Sequence, residues 1–369
     1  MSFNQFTNLD FADLRQQIKD YLRVNSDFAD FDFEGSNFST LIDLLAYNTY
    51  ITAYNTNMAV NECFLDSATL RENVVSLARN IGYVPRSARS AMATINFSVD
   101  LGTNDTRIVT LKAGQVALGN QVGGSYIFSI PDDFVATAGD NNVAVFNNLN
   151  IYEGVYLQKS FQIDYSQPNQ RFILPNANID TNSIRVTVTS TTSEIYTLYD
   201  NILRVDAESK LFLIQEIEDE HYEILFGDGI LGKKPPSGAI VNVSYIVSNG
   251  RAGNDAKNFS FIGILEDDRG LSVTSGISVI QTANKASMGD DIEDISSIKY
   301  LAPRIYSSQY RAVTASDYSG IIPFVYPNVE SVTAYGGEEL EPPEYGKVFI
   351  SIKPKNGSFL SQITKDDIS

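Results

Sequence analysis

Histidine and cysteine occur once each in this 369-residue chain, and tryptophan does not occur at all. Each shortage excludes something. A zinc site takes several Cys or His ligands, so no metal of that kind is expected. The lone Cys63 rules out an internal disulfide framework and fits assembly in a reducing cytoplasm. It reads as a small, buried apolar group. The lone His221 sits beside Glu218, Asp219 and Glu220, and no G-x-S-x-G elbow accompanies it, so it reads as structural or exposed rather than catalytic. No run of about 18 apolar residues occurs, so no membrane-spanning helix is expected. The N-terminus lacks the basic stretch and apolar core of a secretory signal. Positive charge is scarce as well: 27 Lys and Arg face 45 Asp and Glu, a net charge of −18. Wrapping duplex nucleic acid needs the opposite balance. The chain therefore reads as soluble, with protein partners and no nucleic acid.

What is abundant is aromatic and β-forming. Twenty Tyr and 21 Phe are flat, rigid groups suited to cores and interfaces. The phrase Phe226-Gly227-Asp228-Gly229-Ile230-Leu231-Gly232-Lys233 satisfies G-x-G-x-x-G, the phosphate-cradling fingerprint. That motif works only when a strand feeds a helix N-terminus. Here Pro235-Pro236 removes two N–H donors within a few residues, and another strand-like run follows at 239–247. Asp228 would also set a negative charge beside the phosphates. The stretch therefore reads as a strand, a tight turn at Gly227, Asp228, Gly229 and Gly232, a short loop and a return strand. Gly227 and Gly229 are expected to take backbone angles costly for other residues. The acidic groups 266–268 and 290–294 lack the glycine and terminal Glu of an EF-hand loop, so they read as a solvated turn and a helix start. No cofactor, metal or catalytic residue is assigned, and no reaction follows from the chain.

The pattern predicts a multidomain α+β protein. Residues 1–90 form an N-terminal helical segment for partner binding, 91–271 a central all-β region holding the Gly-Asp-Gly turn, and 272–369 a C-terminal mixed α+β domain that reads as incomplete. Asp10 is placed to cap a helix starting at Phe11, with Leu9 and Leu14 as a staple. A long helix is expected over 38–62. Its Leu41, Leu45, Asn48, Thr52, Asn55, Ala59 and Glu62 fall on 4-3 spacing, with Tyr47, Tyr50 and Tyr54 on a further face. Such a helix suits packing against more than one neighbour, some from other chains; an intramolecular hairpin is the alternative. A further helix is expected over 67–81, closed by Gly82 and Pro85. Between 91 and 261, ten strand-like runs punctuated by Gly, Asn, Asp and Pro predict a sandwich or two linked sheets. The alternation Ile184-Arg185-Val186-Thr187-Val188-Thr189 marks a sheet with one wet face. Beyond 272, a helix opening at the 290–294 acids and reaching about 306, a capped helix at Thr314, and strands at 329–335 and 347–353 complete the pattern. The chain stops at 366–369, where a helix would begin.

Three sets of residues carry a resemblance. Phe226-Gly227-Asp228-Gly229, Gly232, Pro236-Ser237-Gly238, Val243-Ser244-Tyr245, Asn249-Gly250 and Gly253-Asn254 resemble the core of baseplate J-like proteins. Arg311-Ala312-Val313-Thr314-Ala315-Ser316-Asp317-Tyr318 is similar to that family's R-A-V-T-x-x-D-Y segment. Glu34-Gly35-Ser36-Asn37, Leu41 to Asn48, Asn61 to Ala68 and Gly82 to Ala88 resemble the inner-ring wedge subunit of T-even-like myophages. The stretch 102–192 carries no such signature.

The resemblance implies a structural, non-enzymatic subunit of the virion tail baseplate, built in the host cytoplasm. It implies pairing of two copies within a wedge, and partners among other wedge subunits. One of these contributes helices to a bundle, and another initiates the sheath. Wedges close a ring around the central hub and tube, and the ring transmits the rearrangement that triggers contraction and genome ejection. The bundle contacts would fall on Leu41, Leu45, Asn48, Tyr50, Tyr54, Asn55, Phe64 and Leu65. Family subunits are longer, so the ring-closing part is expected to be missing. The competing reading is a glycan-binding or glycan-cleaving tail module, with an aromatic and carboxylate groove within 91–260.

Overall fold

A computed structural model describes residues 7, 10–25, 36–102, 107–121, 123–167, 169–199, 205–309, 311–326 and 329–354. The described residues fall into two compact units, one drawn from 1–84 and 295–309, the other from 85–294 and 310–369. Helices at the N-terminal end, an all-β centre and an α-plus-β C-terminal region make the expected multidomain α+β chain.

The first unit is helical. Helices α1 (Phe11–Asn25) and α2 (Asn37–Asn61) pack on each other, as do α3 (Arg71–Asn80) and α4 (Ile295–Ser308). Asp10 caps α1 as expected, its Oδ1 accepting from the amides of Ala12 (2.8 Å) and Asp13 (3.2 Å). Leu9, its proposed staple partner, lies outside the described residues. Ser36 caps α2 through the Ser39 amide at 3.0 Å.

Helix α3 starts four residues later than the spacing predicts. Glu62 reaches forward from the end of α2 and holds the residues just ahead of α3. Its carboxylate accepts from the Thr69 amide (2.8 Å) and hydroxyl (2.6 Å), the Leu70 amide (3.3 Å) and Asn73 Nδ2 (2.9 Å). Partial burial pushes the Glu62 carboxyl up, but these four hydrogen bonds outweigh it and hold the pKa down to about 2, from 4.5. A depressed folded-state pKa contributes stability that is complete above the unfolded value and lost as pH falls through the folded one. Glu62→Gln should therefore cost about 1 kcal/mol near neutrality, as the weakening of charge-assisted hydrogen bonds does. The gap between variant and wild type should close between pH 4.5 and about 2, read from urea midpoints across that range. An unchanging gap would refute the charge's role.

Cys63 is exposed, contrary to the expectation of burial. It follows α2 on the outward side, its Sγ 3.3 Å from Ala59 O.

Among the described residues the second unit holds four sheets. A six-stranded sheet runs in the spatial order β14 (Lys257–Phe261), β3 (Gly114–Gln121), β4 (Gly124–Ile130), β6 (Val143–Glu153), β1 (Met92–Asp100), β16 (Gln281–Ser287). Its outer strands meet: the Asp255 amide donates to Ala286 O (2.7 Å), and the Ala286 amide to Ala256 O (3.0 Å). The sheet thus curls into a barrel whose ends are joined by these two bonds, made by the residues just ahead of β14. Phe97 and Phe146 stack inside at 4.5 Å, and Phe128 meets Phe259 edge to face at 4.9 Å. A three-stranded sheet, β15 (Leu265–Asp267), β2 (Ile108–Leu111), β5 (Phe134–Thr137), joins the same core through Val109, Leu111 and Leu265.

The seven-stranded sheet runs β7 (Val155–Gln162), β13 (Ile240–Val247), β9 (Ile179–Thr189), β10 (Ser193–Leu198), β11 (Leu211–Glu216), β12 (Tyr222–Phe226), β8 (Phe172–Ile173). It curls until its ends face: Phe161 on β7 and Phe172 on β8 lie edge to face at 5.7 Å. In β9, Ile184, Val186 and Val188 are buried while Arg185, Thr187 and Thr189 are half-buried, the alternation expected for one wet face. Buried Asp180 accepts from the Ser90 amide (2.9 Å), and Arg185 pairs with Asp132 (2.9 Å), tying this sheet to the barrel.

The acids at 290–294 lie directly ahead of a helix, as expected, but not in its first turn. Helix α4 starts at Ile295 and carries Pro303 within it. Asp290 instead accepts from Arg86 (3.0 Å) and Arg251 (2.6 Å), and Glu293 from the Arg86 amide (2.9 Å). Partly buried carboxylates beside guanidinium groups are held more firmly there than at a helix start. Farther on, Thr314 and Asp317 form the expected capping box of α5 (Ala315–Val325). Strands β17 (Val329–Gly336) and β18 (Val348–Pro354) pair as a hairpin beside it. Residues 366–369 lie outside the described residues.

Candidate assembly interface

Helix α2 has an inner and an outer face, one residue apart in phase. Ser39, Ile42, Ala46, Asn57 and Asn61 are buried. Asn57 is held by Thr7: its Nδ2 donates to Thr7 Oγ1 (2.6 Å), and its Oδ1 accepts from the Thr7 amide (3.2 Å). The 4-3 stripe, Leu41, Leu45, Asn48, Thr52, Asn55 and Ala59, is exposed instead. Leu44 and Tyr47 add to that face, 62% and 57% exposed. Tyr54 and Phe64 are exposed, while Tyr50 and Leu65 are half-buried. The inner series was also legible, since 42, 46, 53, 57 and 61 repeat the helical period shifted by one position.

Between α1 and α2 lies a groove of about 590 Å³ lined by Ile18 and Tyr21 of α1 and by Leu41, Leu44 and Leu45 of α2. Large aliphatic side chains left open to water along one helix face form the kind of patch that marks interaction surfaces. Burying one leucine is worth about 1.5–3 kcal/mol.

The Gly-Asp-Gly loop is a brace. Asp228 Oδ1 accepts from the Ile230 (2.8 Å) and Leu231 (2.9 Å) amides, which hold its carboxyl below the usual range. Gly229 and Gly232 have φ of +92° and +88°, the left-handed region. Gly227 does not. It is required by proximity, because a Cβ there would sit 2.3 Å from the Gly232 backbone. Lys233 is anchored to Glu194 at 2.9 Å. The flanking strands are not partners of each other: β12 pairs with β11 and β8, β13 with β9 and β7. No helix follows the loop.

A second loop carries Asn249-Gly250-Arg251-Ala252-Gly253-Asn254. Its centre is Glu153, the last residue of β6, which is fully buried. Glu153 Oε2 accepts from Ser248 Oγ (2.8 Å) and the Asn249 amide (3.0 Å), and Oε1 accepts from Asn249 Nδ2 (2.8 Å). A Cβ on Gly253 would stand 2.4 Å from Glu153 Cγ, and one on Gly250 2.3 Å from Asp291 Oδ1. Sequence reading missed Glu153, because an acid ending a strand is unremarkable without its partners ~95 residues away. A recess of about 290 Å³ beside it is lined by Tyr126 and Glu153, but both carboxylate oxygens are already engaged.

His221 lies 3.3 Å from Glu218 O through Nδ1, and Asp267 is folded into a turn by the Arg269 and Leu271 amides. No cluster of His, Cys, Asp or Glu suited to a metal occurs among the described residues.

A braced β body and a helical end with an open apolar groove define a class, the assembly subunit, more readily than a small-ligand enzyme. The comparisons give that class a family. Residues 10–83 match the helical domain of gp6-like baseplate wedge proteins, 159–250 the third domain of bacteriophage baseplate wedge protein gp6, and 314–369 its C-terminal domain I. The chain is 28% identical to baseplate wedge protein gp6 of Enterobacteria phage T4 across 97% of its length, and spans 56% of that relative. A solved baseplate of the anti-feeding prophage matches 90% of the chain and 67% of its own at 14% identity, with a TM-score of 0.30, too low to carry an argument. Together the three segment matches and the relative support a baseplate wedge protein family.

Proposed function

We propose that this chain is a structural, non-enzymatic subunit of a phage tail baseplate wedge, in the wider baseplate J-like group that its loop phrases resemble. Its helical segment, 1–90, binds partners; its β-rich part, 91–271, is the rigid body; 272–369 makes further contacts. Two copies pair within a wedge. The partners are other wedge subunits, one of them adding helices to a bundle and another initiating the sheath, together with the central hub and tube. The subunit is assembled in the host cytoplasm and passes on the rearrangement that releases contraction. One observation carries the reading: the open apolar face of α2 lies within the segment, 10–83, that matches the wedge helical domain. Leu41, Leu45, Asn48, Tyr50, Tyr54, Asn55, Phe64 and Leu65 form the partner face, and Gly227, Asp228, Gly229 and Gly232 keep the body rigid.

Co-expression with the other wedge proteins of the same phage, followed by size exclusion with light scattering, tests this. Wild type should elute in a defined complex. The double variant Leu41→Glu/Leu45→Glu should weaken it ~1000-fold, two buried leucines being worth about 4 kcal/mol. Its own unfolding should change by less than about 0.5 kcal/mol, since both side chains are exposed in the free chain. A variant that assembles like wild type, or a wild type monomeric with every partner set, would remove the basis for the proposal.

A further inference from the structure

Asn249-Gly250 is the dipeptide most prone to self-cyclisation, because glycine puts no side chain in the path of its own amide. In that reaction the Gly250 main-chain nitrogen, giving up its proton, attacks Asn249 Cγ. The Cγ–Nδ2 bond breaks and Nδ2 leaves as ammonia, closing a succinimide ring. Water then opens the ring to aspartate or, through the other carbonyl, to isoaspartate. The net change is asparagine plus water to an acid plus ammonia, with no oxidant or reductant.

Here both reacting groups are engaged. The Gly250 amide donates to Ser248 Oγ at 2.9 Å. Asn249 Nδ2 donates to Glu153 Oε1 at 2.8 Å, and the Asn249 amide to Oε2 at 3.0 Å. Ser248 Oγ is itself fixed by Glu153 Oε2 at 2.8 Å. The Asn249 carbonyl accepts from the Ala252 amide at 3.2 Å, with φ −92° and ψ 14°. Ring closure requires that ψ to swing away, breaking these bonds together. Ser248 and Gly250 are buried, so water does not replace the bond that holds the attacking amide, although the Asn249 side chain itself is exposed.

We infer that Asn249-Gly250 is a latent modification site which the Glu153–Ser248 pair keeps closed, and which opens only when this loop does. The product would reinforce the opening. An acid at 249 faces buried Glu153 where a donor stood, like charges in close contact, and an isoaspartate lengthens the backbone leading into Gly250, where even a Cβ would stand 2.3 Å from Asp291 Oδ1.

The full chain, incubated in mildly alkaline buffer either native or unfolded in urea, tests this by peptide mapping and mass spectrometry of residue 249. The native chain should convert slower than the unfolded one by about tenfold or more, since reaction waits on local opening. Ser248→Ala, shown by circular dichroism to be folded, should convert several-fold faster than native wild type. Equal rates in native and unfolded wild type would overturn the inference, and that comparison needs no variant. So would a folded Ser248→Ala that converts at the wild-type rate.

Discussion

Glu153→Ala should lower the unfolding free energy by about 4 kcal/mol, the largest effect expected of any single side chain described above. The carboxylate is fully buried and accepts three hydrogen bonds from Ser248 and Asn249. Alanine leaves the buried Ser248 hydroxyl without its acceptor, at about 1–3 kcal/mol, strips the exposed Asn249 of two charge-assisted bonds, and opens a void against Gly253. Glu153→Gln should cost about 2 kcal/mol, because the amide turns an NH2 toward a site where every neighbour is a donor. Urea unfolding of both variants checks this. A loss under about 1 kcal/mol for alanine would mean the loop re-forms without its centre.

The second large effect separates two glycines that a sequence pattern treats alike. Gly227→Ala should destabilise by about 3 kcal/mol, because its Cβ would meet the Gly232 backbone at 2.3 Å and backbone cannot rotate away as a side chain can. Gly229→Ala should cost only about 1 kcal/mol, the strain of a left-handed residue. Its nearest neighbour would be Lys234 Cβ at 3.8 Å. Thermal unfolding of the pair decides between them. The reverse order, or equal shifts, would refute the brace geometry.

These two sites show what was readable in the chain and what was not. Helical ends written locally were readable: Asp10 caps α1 and Thr314 boxes with Asp317, both within a few residues. So was the alternation of β9. What depended on distant partners was not. Glu62 delays α3 by bonding residues that propensity assigns to the helix. The acids at 290–294 suit a helix start until Arg86 and Arg251 are brought to them. Strand β16, Gln281-Thr282-Ala283-Asn284-Lys285-Ala286-Ser287, has no apolar run because it is exposed along nearly its whole length, yet it closes the barrel. For the interface, 4-3 spacing identified a stripe on α2 but not its side. A helix of this kind shows two phases in sequence, and only packing against α1 distinguishes inner from outer.

Barrel closure also sets an order of events at the ribosome. Met92 on β1 pairs with Ser287 on β16, so the barrel cannot shut until both have emerged. At ordinary synthesis rates that interval is roughly 10–40 s, and pairing so remote is slow in itself. Helices α1 and α2, whose contacts are local, are complete long before. The nascent chain therefore displays its apolar groove while its β-rich part is still unfinished.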